Sequence, residues 1–562
     1  MTDPWTRNYA HPGKWERQFQ PVALGELLRR SAEREPDAIA LDFYGRQTSY
    51  RALWQQACWA AKGFQAIGLG KGSRIGLFLP NTPHYPMAYY GALLAGATVV
   101  NFSPLYSRDE VLAQARDSGV EAMVCLDLVR LWPPMAGLLE AGSLRRLIVG
   151  SLGEVLPALK AIGFRLLKRK ERMTLPTDGR VMLWSDLLAH GADPQPVTID
   201  PARDVAVIQY TGGTTGVPKG AALTHANLSI NALQLEAIEP GEPGERREAR
   251  VLGALPLFHI FANTAVLNRT ILGGGEIVLL PKFEAGEALA AITRRRCTDL
   301  CGVPAMFQAM IEHPASTKTD YSTVLHAFSG GAAMLPALKL RFEAATGARL
   351  LEGYGMTESA GVVSVNPYEG EARAGTVGHP LPGTSIILID EQGERVPPGA
   401  KGEIAVSGPQ VMLGYWRADQ ARIEPLDGGL FRTGDVGTID PEGYLRIVDR
   451  IKDMINVGGF KVFPSQLEAV LSAHPAVGEV LVIGIPDKRV GERPKAFVVL
   501  RDGAEATTGE LSAFLNAKVG KHERVDRIEL REALPRTLIG KPDRKALAAE
   551  EAARSQSPPI GC

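Results

Sequence analysis

Eleven consecutive residues, Tyr210-Thr211-Gly212-Gly213-Thr214-Thr215-Gly216-Val217-Pro218-Lys219-Gly220, constrain this chain more than any other feature. The apolar run 205–210 reads as a buried strand, and a helix is expected to open near Thr224. Glycines let the backbone bend so that successive N–H groups face one point, and the hydroxyls of Thr211, Thr214 and Thr215 add donors. Lys219 adds positive charge. A loop of this kind suits a triphosphate. It is not the loop of the common nucleotide hydrolases, which place Gly directly before the Lys and Ser or Thr after it. Here Pro218 precedes Lys219 and Gly220 follows.

The surroundings of the loop predict an α/β protein. Helical spacing of apolar residues covers 24–34 and 50–67, and short apolar strands are expected at 74–79, 122–126 and 147–149. The first of these strands ends in the turn Pro80-Asn81-Thr82-Pro83. The apolar stretch 88–102 contains Gly91 and Gly96. It falls short of the ~20 residues that a membrane-spanning helix needs, and it reads as a packed helix leading into a strand. After about Ile386 the character changes to short strands with Gly and Pro turns, at 385–390, 402–407 and 443–448, which predicts a β-rich subdomain. A further unit follows, with helices at 466–473 and 509–519 and strands at 480–485 and 496–500. A chain of 562 residues exceeds what one core accommodates. The expected division is therefore a large domain, 1–450, made of α/β subdomains plus the β-rich one, and a small mobile α+β domain, 451–562. Residues 554–562 read as a disordered tail.

Charge and cysteine usage exclude some functions. Lys plus Arg and Asp plus Glu are 62 each, without the basic excess of a general nucleic-acid binder. The five cysteines, Cys58, Cys125, Cys297, Cys301 and Cys562, are scattered, which fits a reducing compartment. Cys297 and Cys301 lack a second Cys or His pair to complete a zinc site and read as small buried residues. The N-terminus has no basic start followed by an apolar run, so no signal peptide is expected and the predicted location is cytoplasmic. One segment stands apart: residues 155–172 hold six Lys or Arg against one Glu, with Leu156, Leu159, Ile162, Phe164, Leu166 and Leu167 between them. It is either a solvated surface helix or a helix lying on the inner face of an anionic membrane as a weak peripheral contact.

The loop sequence TGGTTGVPKG resembles the phosphate-loop signature of the adenylate-forming superfamily, which includes acyl-CoA synthetases, peptide-synthetase adenylation domains and luciferases. The resemblance runs from about Val22 to Lys545. Its further motifs NFSPLY, LPLFHIFANT, EGYGMTES, GPQVMLGYW, RTGDVG, GYLRIVDRIKDMI and GFKVFP are similar to those of bacterial long-chain fatty acid–CoA ligases. The fold and chemistry implied are those of an ATP- and Mg²⁺-dependent acid–CoA ligase that forms an acyl-AMP intermediate from a medium- to long-chain fatty acid, with coenzyme A as co-substrate. Ligases for dicarboxylic or aromatic acids, and an acyl-AMP ligase loading a carrier protein, remain alternatives, and a homodimer is left open.

The resemblance also implies roles, residue by residue. Thr211, Gly212, Gly213, Thr214, Thr215, Gly216 and Lys219 would hold phosphate, and Thr211 with Glu358 would face Mg²⁺. Tyr354 and Gly355 would meet adenine, and Thr357 a phosphoryl oxygen. Gly330 and Ala332 belong to the small-residue turn Ser329-Gly330-Gly331-Ala332-Ala333, which would pack against adenine and the acyl carbonyl. Asp435 and Arg450 would bind the ribose hydroxyls. His259 lies in an apolar segment and reads either as lining the carboxylate channel or as a packed core residue. That segment lacks the Asp that amino-acid-activating domains use for an ammonium group. Lys541 would contact the reacting carboxylate and α-phosphate, although Pro542 stands where the family has an apolar residue. Lys452 would be the hinge, and Gly458 and Gly459 would border the pantetheine channel.

Overall fold

The computed structural model describes residues 4–191, 193–211, 218–241, 249–370, 373–417, 422–525, 527–536 and 542–556. The chain packs as two compact units. One comprises the residues up to Ser385 with Val406–Phe431, and the other Ile386–Ala405 with the residues from Arg432 onward. The β-rich stretch, grouped by sequence with the first 450 residues, clusters here with the second unit. Packing follows strand pairing, which takes little account of chain order.

The first unit contains two nine-stranded sheets among the described residues. In one, Val205–Thr211, Thr98–Asn101, Arg74–Leu77, Ala122–Leu126, Arg146–Gly150 and Val181–Leu183 lie side by side and parallel. The expected strands are present, and the 88–102 stretch is a helix, His84–Leu94, followed by the strand Thr98–Asn101. That helix is buried at every position from His84 to Leu93, as its lack of a polar face requires. In the other sheet Arg349–Tyr354, His326–Ser329, Asp299–Gly302, Arg250–Gly253, Glu276–Leu279 and Ile39–Phe43 form the parallel run. Antiparallel pairing with Ser364–Val365 at one end and Arg46–Ser49 at the other completes the transition to the edges.

The helix expected near Thr224 is present, and a strand that the sequence reading did not include lies between it and the loop. Residues Lys219–Thr224 form a strand that returns antiparallel to Val205–Thr211, pairing Gly220 with Tyr210 and Lys219 with Thr211. The helix His225–Ala237 starts only after it, with the Thr224 hydroxyl accepting from the Asn227 N–H at 3.0 Å. Ala221, Ala222 and Leu223 are good helix formers taken singly. All three are fully buried in the sheet, and this tertiary pairing overrides their local preference.

In the second unit Ser385–Ile389, Gly402–Ser407, Phe431–Ile439 and Leu445–Arg450 form a four-stranded sheet. A five-stranded sheet is built on the long antiparallel pair Val477–Asp487 and Gly491–Leu500. The helices Pro464–Ser472 and Thr508–Asn516 contribute Leu467, Leu471, Leu511 and Leu515 to a core with Val482 and Val498. Leu481, Ile483 and Phe497, on alternate positions, pack with Leu534 and Leu547. Leu547 belongs to the helix Arg544–Gln556, which corrects the expected disordered tail over residues 554–556. That helix runs through Arg554, whose guanidinium donates to Glu529 at 2.9 Å; residues 557–562 lie outside the described residues.

Candidate active site

Parallel strands deliver their following loops to one edge of a sheet, and in open α/β sheets ligands bind at that carboxyl edge. Three of the sequence motifs leave the second sheet in this way. Arg250–Gly253 runs on toward Pro256–His259, His326–Ser329 into Gly330, and Arg349–Tyr354 into Gly355–Glu358. The last two strands are neighbours, in a register that places Ser329 beside Glu352. A methyl group added at Gly330 would lie 3.2 Å from the Phe261 ring, so the small residue there admits a close approach. Ala332 is exposed, and the buried Ser329 hydroxyl has no hydrogen-bond partner among the described residues.

The Gly355–Glu358 turn is held from several sides. A Cβ at Gly355 would sit 2.0 Å from the Gly361 carbonyl oxygen, so only glycine fits. Asn231 pins the far side of the turn, accepting from Val362 N–H at 3.1 Å and donating to its carbonyl at 2.9 Å. Thr264 donates to the Ala360 carbonyl at 2.5 Å. Tyr354, Thr357 and Glu358 are left half-buried, accessible to a ligand on a rigid support.

Sequence reasoning missed a residue between two of its candidates. Tyr415 donates its phenol to Glu358 at 2.8 Å, and Lys219 Nζ lies 5.2 Å from the centre of the Tyr415 ring. Burial, and then the Glu358 carboxylate, push the Tyr415 phenol well above its usual range, so it is a donor at neutral pH. Tyr415 sits in Gly414–Arg417, which pairs antiparallel with Lys219–Thr224. Met412 N–H bonds the Glu358 carbonyl at 2.8 Å, and Asn227 holds the Pro409 and Val411 carbonyls at 2.9 and 2.8 Å. The GPQVMLGYW motif is therefore the element that ties Lys219 to Glu358. Thr211 donates to the Lys219 carbonyl at 3.4 Å.

The Pro256–Phe261 segment has supports that were also missed. Asn81 donates to the Gly253 and Leu255 carbonyls at 3.0 and 2.7 Å and accepts from Leu257 N–H at 2.8 Å. Gln209 donates to the Phe258 carbonyl at 3.1 Å. His259 is half-buried. Its Nδ1 accepts from Phe261 N–H at 3.4 Å at the start of a short helix, Ile260–Ala262, that widens into a π-helical turn, Asn263–Asn268. Such turns concentrate at functional sites. Within the sequence, the buried Asn81 looked like an ordinary turn residue.

In the second unit Asp435 and Arg450 are cross-strand partners with an ion pair at 2.9 Å, and Asp435 is buried. Lys452 follows in the single turn Ile451–Asp453. Its ammonium is held below the usual range by desolvation and then by the neighbouring Arg450 guanidinium. Gly458 and Gly459, at φ +61° and +89°, form the two-residue turn of the hairpin Ile455–Val457 and Phe460–Val462, a conformation that side chains resist. Beside Gly458 a cleft of about 570 Å³ is lined by Phe460, Arg493, Lys521, His522 and Arg524, with the Phe460 and His522 rings stacked at 4.9 Å. The candidates Gly212, Gly213, Thr214, Thr215, Gly216 and Lys541 lie outside the described residues.

Comparison with known proteins agrees with these motifs. The AMP-binding enzyme family matches residues 28–416, and the AMP-binding enzyme C-terminal domain matches residues 466–541. The sequence is 37% identical over 555 residues, 98% of each chain, to a long-chain-fatty-acid–CoA ligase of Bacillus subtilis. It is 34% identical to a feruloyl-CoA synthase of Amycolatopsis sp, over 92% of this chain and 97% of that one. The ATP-bound crystal structure of MatB from Rhodopseudomonas palustris is similar with a TM-score of 0.81 at 29% identity, covering 94% of this chain and 98% of that one. Matches that extend over nearly the whole length leave one assignment: this chain belongs to the AMP-binding enzymes and is an ATP-using acid–CoA ligase, an AMP-forming acyl-CoA synthetase.

Proposed function

We propose that the acid is a medium- to long-chain fatty acid. The observation that carries this reading is the end-to-end likeness to the Bacillus subtilis long-chain ligase. The apolar character of the segment holding Leu255, Leu257, Ile260 and Phe261, whose Phe261 ring lies against Gly330, supports it. In the first half-reaction a carboxylate oxygen attacks the α-phosphorus of ATP and pyrophosphate leaves. In the second the CoA sulfur attacks the acyl carbon and AMP leaves. No side-chain nucleophile is needed, because positioning and charge do the work.

The residue roles are assigned on the same basis. Lys219, with Thr211 and the loop residues Gly212, Gly213, Thr214, Thr215 and Gly216, neutralises the phosphates. Tyr354 and Gly355 seat adenine beside Gly330 and Ala332, and Thr357 donates to a phosphoryl oxygen. Asp435 and Arg450 take the ribose hydroxyls. His259 lines the carboxylate path, and Lys541 stabilises the charge that develops between carboxylate and α-phosphate. Glu358 supplies one hard carboxylate. That suits Mg²⁺, which keeps waters and binds substrate phosphates through one or two carboxylates and offsets their charge. Motion about Lys452 divides residues 1–450 from 451–562 and exchanges the two half-reactions. Gly458 and Gly459 then border the pantetheine arm. The cleft next to them, with stacked rings and three basic side chains, suits the phosphorylated nucleotide of CoA. The cysteines among the described residues are buried free thiols, and burial pushes those at 297 and 301 up to about 12.

AMP release measured over saturated acids of increasing length, with ferulate and benzoate alongside, tests the substrate. Each buried CH₂ contributes up to about 0.8 kcal/mol, roughly fourfold in affinity, so kcat/KM should climb with length and then level off. A maximum at ferulate would instead support an aromatic acid, the reading that the feruloyl-CoA synthase relative favours. Release of AMP that does not depend on CoA would point to a carrier-protein acceptor.

A further inference from the structure

The helix Ala158–Leu167 carries its apolar face outward. Ala161 is its one buried residue. Leu159, Ile162, Leu166 and Leu167 are 85%, 54%, 74% and 85% exposed. Positions 159, 162, 163 and 166 follow the three- and four-residue spacing of a single helix face, and Ala161 lies opposite them. A helix resting on its own domain shows the reverse arrangement, with apolar residues inward.

Positive charge surrounds this stripe. Lys160 and Arg165 flank it, and Lys168, Arg169 and Lys170 follow its C-terminal end, all exposed. Lys160 is steadied over the Tyr44 ring at 4.8 Å, Lys168 pairs with Glu171 at 2.6 Å, and Arg172 pairs with the buried Asp127 at 3.1 Å. Beside the helix an apolar cleft of about 340 Å³ is walled by Tyr44, Leu156, Phe164 and Leu167, and Lys160 and Lys168 also line it. Long apolar side chains in one plane, with flexible cations at its margins, match a layer of acyl chains beneath a layer of phosphates.

We propose that residues 158–170 dock this enzyme peripherally on an anionic lipid bilayer. The apolar stripe enters the acyl boundary and the five cations engage headgroup phosphates. A second copy of the chain fits poorly, because a two-fold contact would face the same cations against each other. A protein partner fits less well than lipid, because protein interfaces favour aromatic side chains and arginine over lysine, and three of the five cations here are lysines. Among the described residues no helix is long and apolar enough to cross a membrane, so the attachment is to the surface. The proposal is independent of which acid the enzyme takes.

Flotation of the full chain with vesicles of phosphatidylcholine, with or without phosphatidylglycerol, tests it. Two triple variants separate the contributions: Leu159→Gln with Leu166→Gln and Leu167→Gln, and Lys168→Glu with Arg169→Glu and Lys170→Glu. Wild type should float with the anionic vesicles, and its bound fraction should fall about fivefold or more when NaCl rises from about 50 to about 500 mM. Both variants should bind about tenfold less or worse, while ATP–pyrophosphate exchange without vesicles stays at the wild-type rate and reports intact folding. Failure of wild type to float, flotation equal for all three proteins, or equal flotation with neutral vesicles would overturn the proposal. Capture by immobilised polyglutamate without vesicle binding would overturn it in favour of an acidic protein partner.

Discussion

Tyr415 joins Lys219 to the Glu358 carboxylate on the neighbouring turn, and its single hydroxyl sets the orientation of the carboxylate that is proposed to face Mg²⁺. A hydrogen bond from behind a metal-binding carboxylate typically controls affinity by about 10- to 100-fold. Tyr415→Phe is therefore expected to raise the Mg²⁺ concentration needed for ATP–pyrophosphate exchange by about that factor, with the maximal rate largely recovered at high Mg²⁺. An unchanged Mg²⁺ dependence would separate Tyr415 from Glu358's role. His225 offers a different test. It is buried, its Nδ1 accepts from Leu24 N–H at 3.1 Å, and desolvation lowers its pKa to about 4. The folded value lies below the unfolded one, so the neutral form stabilises the fold. Its contribution is complete above about pH 6.5 and is lost as pH falls toward 4, and the loss is about 2 kcal/mol at pH 5. His225→Asn retains an acceptor and cannot charge. The wild-type urea midpoint should fall more between pH 7.5 and pH 5 than the variant's, and equal pH slopes would show that His225 does not titrate in this way.

At the scale of elements, the short segment after Leu445–Arg450 concentrates the conformational demands. Lys452 occupies a single helical turn, and the next turn is the Gly458-Gly459 pair at positive φ. Proline at 452 would fix φ and push Ile451 toward extended backbone, removing the rotation that the proposed hinge requires. Lys452→Pro should form acyl-AMP at near the wild-type rate and lose thioester formation by two or more orders of magnitude, as read in single-turnover measurements of each half-reaction. Thioester formation at the normal rate would place the hinge elsewhere.

For the whole molecule, the proposed role of Lys541 gives the sharpest test, because it assigns that residue to one half-reaction alone. If it acts on the carboxylate and α-phosphate alone, Lys541→Ala should abolish adenylation yet leave thioester formation from supplied acyl-AMP within about threefold of wild type. Equal loss of both steps would assign it a general structural part. The amino-acid sequence by itself determined the α/β class, most strand and helix positions, and the candidate residues of the nucleotide site. Those follow from local causes: apolar periodicity, glycine where the backbone must bend, and charge near phosphate. Tertiary structure alone decided that Lys219–Thr224 pairs as a strand, that Arg544–Gln556 is a helix through Arg554, and that the β-rich stretch clusters with the second unit. It also decided that Tyr415 and Asn81 support the site, and that Leu159, Ile162, Leu166 and Leu167 face outward. For the strand, the grouping of the β-rich stretch and the supports of the site, the outcome depends on partners far away in the chain, whose pairing and burial outweigh local preference and leave no periodic trace near the residue itself.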